Sequence, residues 1–457
     1  MLNDPARAAA TVYLADAAVL GGGVAQNVAI TVAADGHITS VQPGAREGAR
    51  IAGLVVPGLA NVHSHAFQRA MAGLAERAGP EGDNFWRWRE VMYHFLSVLT
   101  PGDVQAIAAQ LYVECLRHGY TSVAEFHYLH NAPDGGAYAD PAEMARRIAA
   151  AAQDSGIGLA LLPVLYRWGG FGGRPPSPGQ RRFLLTPDAY AGLVETMARE
   201  VAVGVAPHSL RAVSPDDLRA ALQVAGPARP VHIHIAEQTT EVADCLSWSG
   251  ARPVQWLLDH AKVDARWCLI HATHIDAAER QGIAGSGAVA GLCQTTEANL
   301  GDGIFPLRPY LEDGGRFGVG TDSNVSTSPI EELRWLEYVR RLESRARNVS
   351  ESRQGASVAA SLLHRAAAGG AQALGRNAGE IAPGRLADLV VLDPAHPALV
   401  GRRGDALLDA WVFSGNSNPV RYVMVAGQWV IRDGLHPHGE AIAAAFGRCM
   451  TRLADHL

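Results

Sequence analysis

Two histidines one residue apart, His63 and His65, close an apolar run that begins at Leu54. Alternate residues of an extended strand face the same way, so both imidazoles can meet one point. A divalent cation asks this of its first two ligands. The pair alone fits equally well with two buried or surface histidines. Further along, residues able to do chemistry recur: Glu125, His127 and Tyr128; His208 and Arg211; His232, His234, Glu237 and Gln238; His271 and His274; and Asp322 within Gly-Thr-Asp. Each group follows a short apolar run. His63, His65, His234 and Asp322 supply three imidazoles and a carboxylate, a set that zinc accepts while keeping a position for water. Iron and manganese tolerate the same donors, so the identity of the ion stays open. One divalent ion is expected there, Zn2+ before the others, and it lowers the pKa of a bound water towards about 7. Glu237, three residues beyond His234, is placed to move a proton. His271 is placed to orient the nucleophile and to stabilise developing charge, and Asp322 is expected to be catalytic as well, helping His271 to orient and deprotonate the water.

These residues act together only if the strand ends meet. The candidate strands are Leu54–His63, Thr121–His127, Gly158–Leu165, Ala202–Pro207, Pro230–Ala236, Trp267–His271, Ala288–Cys293 and Arg316–Asp322. Helical segments separate them, several opening on a capping residue followed by proline: Thr100-Pro101, Asp140-Pro141, Thr186-Pro187, Ser214-Pro215 and Ser328-Pro329. Eight strand–helix units predict a closed (β/α)8 barrel of the TIM type, in which function gathers at the C-terminal ends of the strands. A doubly wound open sheet would want a glycine-rich phosphate fingerprint after an early strand, and the sequence has none. The chain ends read differently. Short strands at 11–14, 28–32 and 37–41 are matched by others at 387–392, 420–425 and 428–431. Neither end has enough strands for a core of its own. We therefore expect a small β-sandwich domain built from 1–56 and 383–457, beside a catalytic barrel over 57–382. The Gly/Pro-rich stretch 168–179 after the third strand reads as a lid or as a plain surface excursion.

Composition narrows the function. Hydrophobic residues make up 48% and charged residues 18%, which suits a well-buried enzyme rather than a disordered chain. A net charge of −6 gives no nucleic-acid footprint, so an anionic substrate has to be held by local arginines. The five cysteines include no C-x-x-C pair, and their odd number argues against a disulfide framework, so a reducing cytoplasm is expected. Asp4 and Asp16 interrupt any leader-like pattern, and no uncharged stretch reaches membrane-spanning length. A homodimer is the expected assembly, as the commonest for such chains.

Taken together the motifs resemble the amidohydrolase superfamily over essentially the whole chain. They comprise Val56-Pro57-Gly58 leading to His-x-His, His-x-x-Glu on the fifth strand, His271 on the sixth, Gly-Thr-Asp on the eighth, and Pro383-Gly384-Arg385-Leu386-Ala387-Asp388-Leu389-Val390 near the end. Binuclear members bridge two metals with a modified lysine after the fourth strand. Here that position is Ala206-Pro207-His208, and Lys262 is the only lysine, so the resemblance is to the mononuclear deaminase branch. The other zinc deaminase pattern, H-x-E with P-C-x-x-C, is absent. Within the branch, the stretches 63–69, 85–90, 208–211, 234–238 and 295–303 are similar to those of formimidoylglutamate deiminases. That resemblance implies hydrolysis of N-formimidoyl-L-glutamate to N-formyl-L-glutamate and ammonia, in histidine degradation. The substrate's two carboxylates suit two guanidinium groups, Arg89 in the loop after the first strand and Arg211 after the fourth. Gln68, Tyr128 and His208 complete its hydrogen bonds. Gln294 stands where the family usually shows proline, with no catalytic role attached. The rivals are a deaminase of guanine or a related aminated ring, which wants stacking aromatics, and a metal-free barrel serving as a scaffold.

Overall fold

The computed structural model describes residues 10–21, 23–76 and 85–454. The side chains of Phe85, Trp86, Arg87 and Glu90, and residues 1–9 of the expected terminal unit, lie outside the described residues. No helix among the described residues is long and apolar enough to cross a membrane.

Parallel strands run in the order Val231–Ile235, Trp267–His271, Val289–Leu292, Arg316–Val319, Leu59–Ser64, Tyr120–His127, Gly158–Leu165 and Ala202–Val203, with Ala206–Pro207 also pairing to Gly158–Leu165. Bridges from Val205 to Val231 and from Ser209 to His234 bring the fourth strand position against the fifth, so the sheet curls into a barrel. Every residue of Leu59–Ser64 and of Tyr120–His127 is buried, as expected of parallel strands covered on both faces. The fourth strand is two short pieces rather than the continuous 202–207 expected. It breaks at Gly204, where a side chain would press on Leu162 and Pro230.

The expected strand Leu54–His63 is likewise two strands in two sheets. Ala49–Pro57 pairs with Thr11–Leu20 and Leu389–Leu392, whereas Leu59–Ser64 belongs to the barrel. The chain changes sheets at Gly58, whose N–H donates to Asp388 O at 2.9 Å and whose missing side chain leaves room for Thr121. Among the described residues the terminal sheet has seven strands, in the order Gln428–Ile431, Val420–Val425, Leu389–Leu392, Ala49–Pro57, Thr11–Leu20, Gly23–Val32 and Ile38–Gln42. Both chain ends contribute to it. It keeps its own apolar cluster, including Ala15, Ile30, Val55, Val391 and Met424.

Four of the expected caps are made: Thr100, Thr186, Ser214 and Ser328 each accept the N–H three residues on, with proline at the first helical turn. The fifth starts late. Asp140 accepts from Ala142 N at 3.0 Å in a turn, and the helix begins only at Glu143.

Asp388 fastens the two parts of the chain. Its buried carboxylate accepts two bonds from Arg376, at 2.6 and 2.9 Å, and one from Ala426 N at 2.7 Å. Removing one member of a buried pair strands the other, at a cost of about 3–5 kcal/mol. Asp388→Ala is therefore expected to lower the urea midpoint of unfolding well beyond an exposed control such as Asp134→Ala.

Candidate active site

The ends of the first, fifth and eighth barrel strands set the geometry. His63 Nε2 lies 3.1 Å from His65 Nε2 and 3.0 Å from His234 Nε2. Asp322 Oδ1 is 3.5 Å from His63 Nε2 and 3.3 Å from His65 Nε2. Ligands about 2.0–2.1 Å from a tetrahedral zinc are separated by about 3.3 Å, so His63, His65 and Asp322 lie at ligand spacing from one another, and His234 at that spacing from His63. Hydrogen bonding orients the rings. His65 Nδ1 donates to Phe126 O at 2.9 Å, and His234 Nδ1 donates to His208 O at 3.0 Å. Each ring then turns an Nε2 lone pair towards His63, and lone pairs so crowded call for a cation between them. Burial, with His65 beside it, pushes His63 down to about 3. Burial likewise lowers His65 and His234, leaving all three neutral and able to ligate. Burial works against the Asp322 carboxylate, but His63, His271 and His65 outweigh it and hold the group below its ordinary range.

Backbone strain aims these groups. His271 and Asp322 have φ of 68° and 47°, values that non-glycine residues adopt at a cost and mostly where function holds them. Asp322 N donates to His63 O at 2.9 Å and His65 N to Asp322 O at 3.0 Å, locking the first strand end to the eighth. Asn324 Nδ2 donates to both His65 O and Asp322 O.

Beside the four-residue set, His271 Nε2 is 3.8 Å from Glu237 Oε1 and 3.8 Å from Asp322 Oδ2. Its Nδ1 donates to Glu297 Oε1 at 3.2 Å. Burial opposes charge on His271, yet Glu237, Glu297 and Asp322 overcome it and raise the ring to about 10. Burial raises Glu237 despite the opposing His271. The backbone of Glu237 is fixed by Glu241, which accepts Ala236 N at 3.2 Å and Glu237 N at 3.0 Å.

A narrow cavity of about 60 Å³ opens over these groups. Its lining includes His65, His234, Glu237, His271 and Asp322, together with Gln68, Arg89, Tyr128, His208 and Arg211. All five residues expected to touch substrate therefore face one space. Arg89 sits on the helix Phe85–Leu96 rather than in a loop, its guanidinium over the Tyr93 ring. Gln68 Nε2 donates to Tyr128 OH at 2.8 Å, while Gln68 Oε1 is buried without a partner among the described residues. The segment 168–179 contributes nothing to this lining. It is pinned to its neighbours by Trp168 Nε1 donating to Asp217 and by Phe171 stacked on Trp248. A larger groove of about 1320 Å³, whose lining includes residues of the helices Pro101–His118, Glu143–Ser155 and Gly439–Ala454, shares no residue with the site.

Other strand-end residues turn out to be committed elsewhere. Glu125 accepts Ala66 N at 2.6 Å and Tyr112 OH at 3.1 Å. His232 Nε2 donates to Ala373 O and His274 Nε2 to Asp302 O. His127 packs on His130. Conversely, Glu241 and Glu297 have no sequence spacing that marks them. Gln294 gains a use as well: its Nε2 donates to Glu297 Oε2, the carboxylate that holds His271.

The profile of the amidohydrolase family matches residues 54–430. The chain belongs to the amidohydrolase family. It is thus a hydrolase acting on carbon–nitrogen bonds, and such enzymes are typically metal-dependent, in keeping with the His/Asp groups above. Among similar amidohydrolases, the formimidoylglutamate deiminase of Pseudomonas aeruginosa is 52% identical over 96% of this chain and 99% of its own. The 8-oxoguanine deaminase of the same organism is 29% identical over 83% of each. An amidohydrolase crystal structure from Brucella melitensis superposes with a TM-score of 0.92 at 48% identity, covering 97% of this chain and all of that one.

Proposed function

We propose that this amidohydrolase hydrolyses N-formimidoyl-L-glutamate to N-formyl-L-glutamate and ammonia, as a step of histidine degradation. The observation that carries the reading is the pocket itself: two arginines face the same cavity as a carboxylate–imidazole pair and a metal-ligand set. A dicarboxylate with a reactive amidine needs both. The P. aeruginosa deiminase, similar from end to end, supports the same substrate.

His63, His65, His234 and Asp322 hold one divalent ion, Zn2+ in our reading. When bound, it acidifies a water and polarises the reacting group. Arg211 and Arg89 bind the two carboxylates, with Gln68, Tyr128 and His208 fixing the rest of the substrate. His271, held charged by Glu297, orients the water and balances the negative charge that develops as oxygen adds to the formimidoyl carbon. Glu237 accepts the proton the water gives up and passes it to the departing nitrogen, so that the carbon–nitrogen bond breaks and ammonia leaves. Residues 57–382 form the catalytic unit and 1–56 with 383–457 the terminal one. The working enzyme is a cytoplasmic homodimer.

Ammonia release from formimidoylglutamate and from guanine, measured side by side, tests the substrate. Turnover of the dicarboxylate alone is expected; turnover of guanine alone contradicts it. Arg211→Ala removes a charge-assisted contact worth about 1.5–3 kcal/mol. It is expected to raise KM for formimidoylglutamate about 10- to 100-fold, with a smaller effect on kcat.

A further inference from the structure

Cys293 follows the seventh barrel strand and is wholly buried. Its position sets it against the site. A ligand atom each from His271, Cys293 and Asp322 lie within 4.8 Å of one another. The Asp322 carboxylate faces two ways. Oδ1 is turned to His63 and His65, at 3.5 and 3.3 Å, while Oδ2 is turned to His271 Nε2 at 3.8 Å. His271 Nδ1 is already committed to Glu297, so Nε2 is the nitrogen left for another partner. Cys293 N also donates to Glu297 Oε1 at 3.2 Å, which holds the thiol-bearing residue and the imidazole to one anchor. Imidazole, carboxylate and thiol together are a zinc donor set, and the sulfur adds a preference for soft cations.

We propose that Cys293, His271 and Asp322 Oδ2 form a second, inhibitory site for a soft divalent cation such as Cd2+ or excess Zn2+, joined to the first site through the Asp322 carboxylate. This rests on the reading of His63, His65, His234 and Asp322 as the first site. On binding, the Cys293 S–H and His271 Nε2–H bonds break, both protons go to solvent, and sulfur–metal and nitrogen–metal bonds form with no change of oxidation state. The second ion occupies His271 Nε2, the atom that orients water in the reaction, so its arrival stops turnover. His271 and Asp322 line the substrate cavity, and the ion enters by the same route.

The test is a Cd2+ titration of the holoenzyme, following total metal per chain after dialysis, near-ultraviolet thiolate-to-cadmium absorption, and ammonia release. The wild-type chain is expected to pass from one to two metals per chain, to gain the absorption band, and to lose at least tenfold in activity over the same range. Cys293→Ser and Cys293→Ala, each checked for wild-type circular dichroism, are expected to stay at one metal, show no band and remain active at that Cd2+ concentration. A wild-type chain that stays at one metal without a band overturns the second site alone. So do variants that bind and are inhibited as the wild type is. Less than one metal per chain throughout overturns the first site, and this proposal with it.

Discussion

Glu237→Gln is expected to lower kcat by roughly 10²–10⁴-fold, the usual contribution of a positioned general acid–base, while the chain keeps one metal. The substitution preserves the shape of the side chain and removes its capacity to carry a proton. Glu237 is buried in the cavity lining, 3.8 Å from His271 Nε2, and outside the set of ligand atoms around His63. Burial raises its pKa against the opposing His271, as expected of a carboxyl that must both take a proton and give it back. Glu241 pins its backbone through two N–H bonds, and the substitution leaves both in place. Ammonia release and elemental analysis of the same preparation separate the two properties. Activity within a few-fold of wild type would remove Glu237 as the proton carrier.

His234→Ala is expected to abolish both metal retention and activity. Its Nε2 lies 3.0 Å from His63 Nε2, which lies 3.1 Å from His65 Nε2, and alanine leaves a three-donor remnant with a gap in a buried wall. Loss of an outer hydrogen-bond partner to a metal ligand already costs about 10–100-fold, so loss of a ligand should exceed that. Metal content after dialysis should fall well below one per chain, and activity should fall with it. Full retention of both would place the ion elsewhere.

Much of this arrangement was legible in the sequence because it follows from short periods. His63 and His65 share a face through the two-residue repeat of a strand, and the eight strand positions follow from apolar runs set between capped helices. Asp322 sits at the last of those runs. What was illegible depends on distance across the chain. The break at Gly58 hides inside a continuous apolar stretch, because residues bound for either sheet are equally apolar; only the contact with Thr121 and the bond to Asp388 reveal it. Glu297 holds His271 from 26 residues away, and no local pattern tells such a carboxylate from one that faces solvent. Tyr93, Tyr166 and Phe183 also line the cavity, yet as single aromatic residues they read like any other part of a core. Strand-end histidines mislead in the other direction: His232 precedes His234 by the same two-residue step that links His63 and His65, but its Nε2 is spent on Ala373 O.

X-ray absorption at the metal edge of the purified, metal-loaded chain addresses the convergence of residues most directly. A shell of three imidazole nitrogens at about 2.0–2.1 Å with oxygen at about 2.0–2.2 Å is expected, losing one nitrogen in His234→Ala protein reloaded at high metal concentration. A shell without imidazole scattering, or one that His234→Ala leaves unchanged, would contradict it.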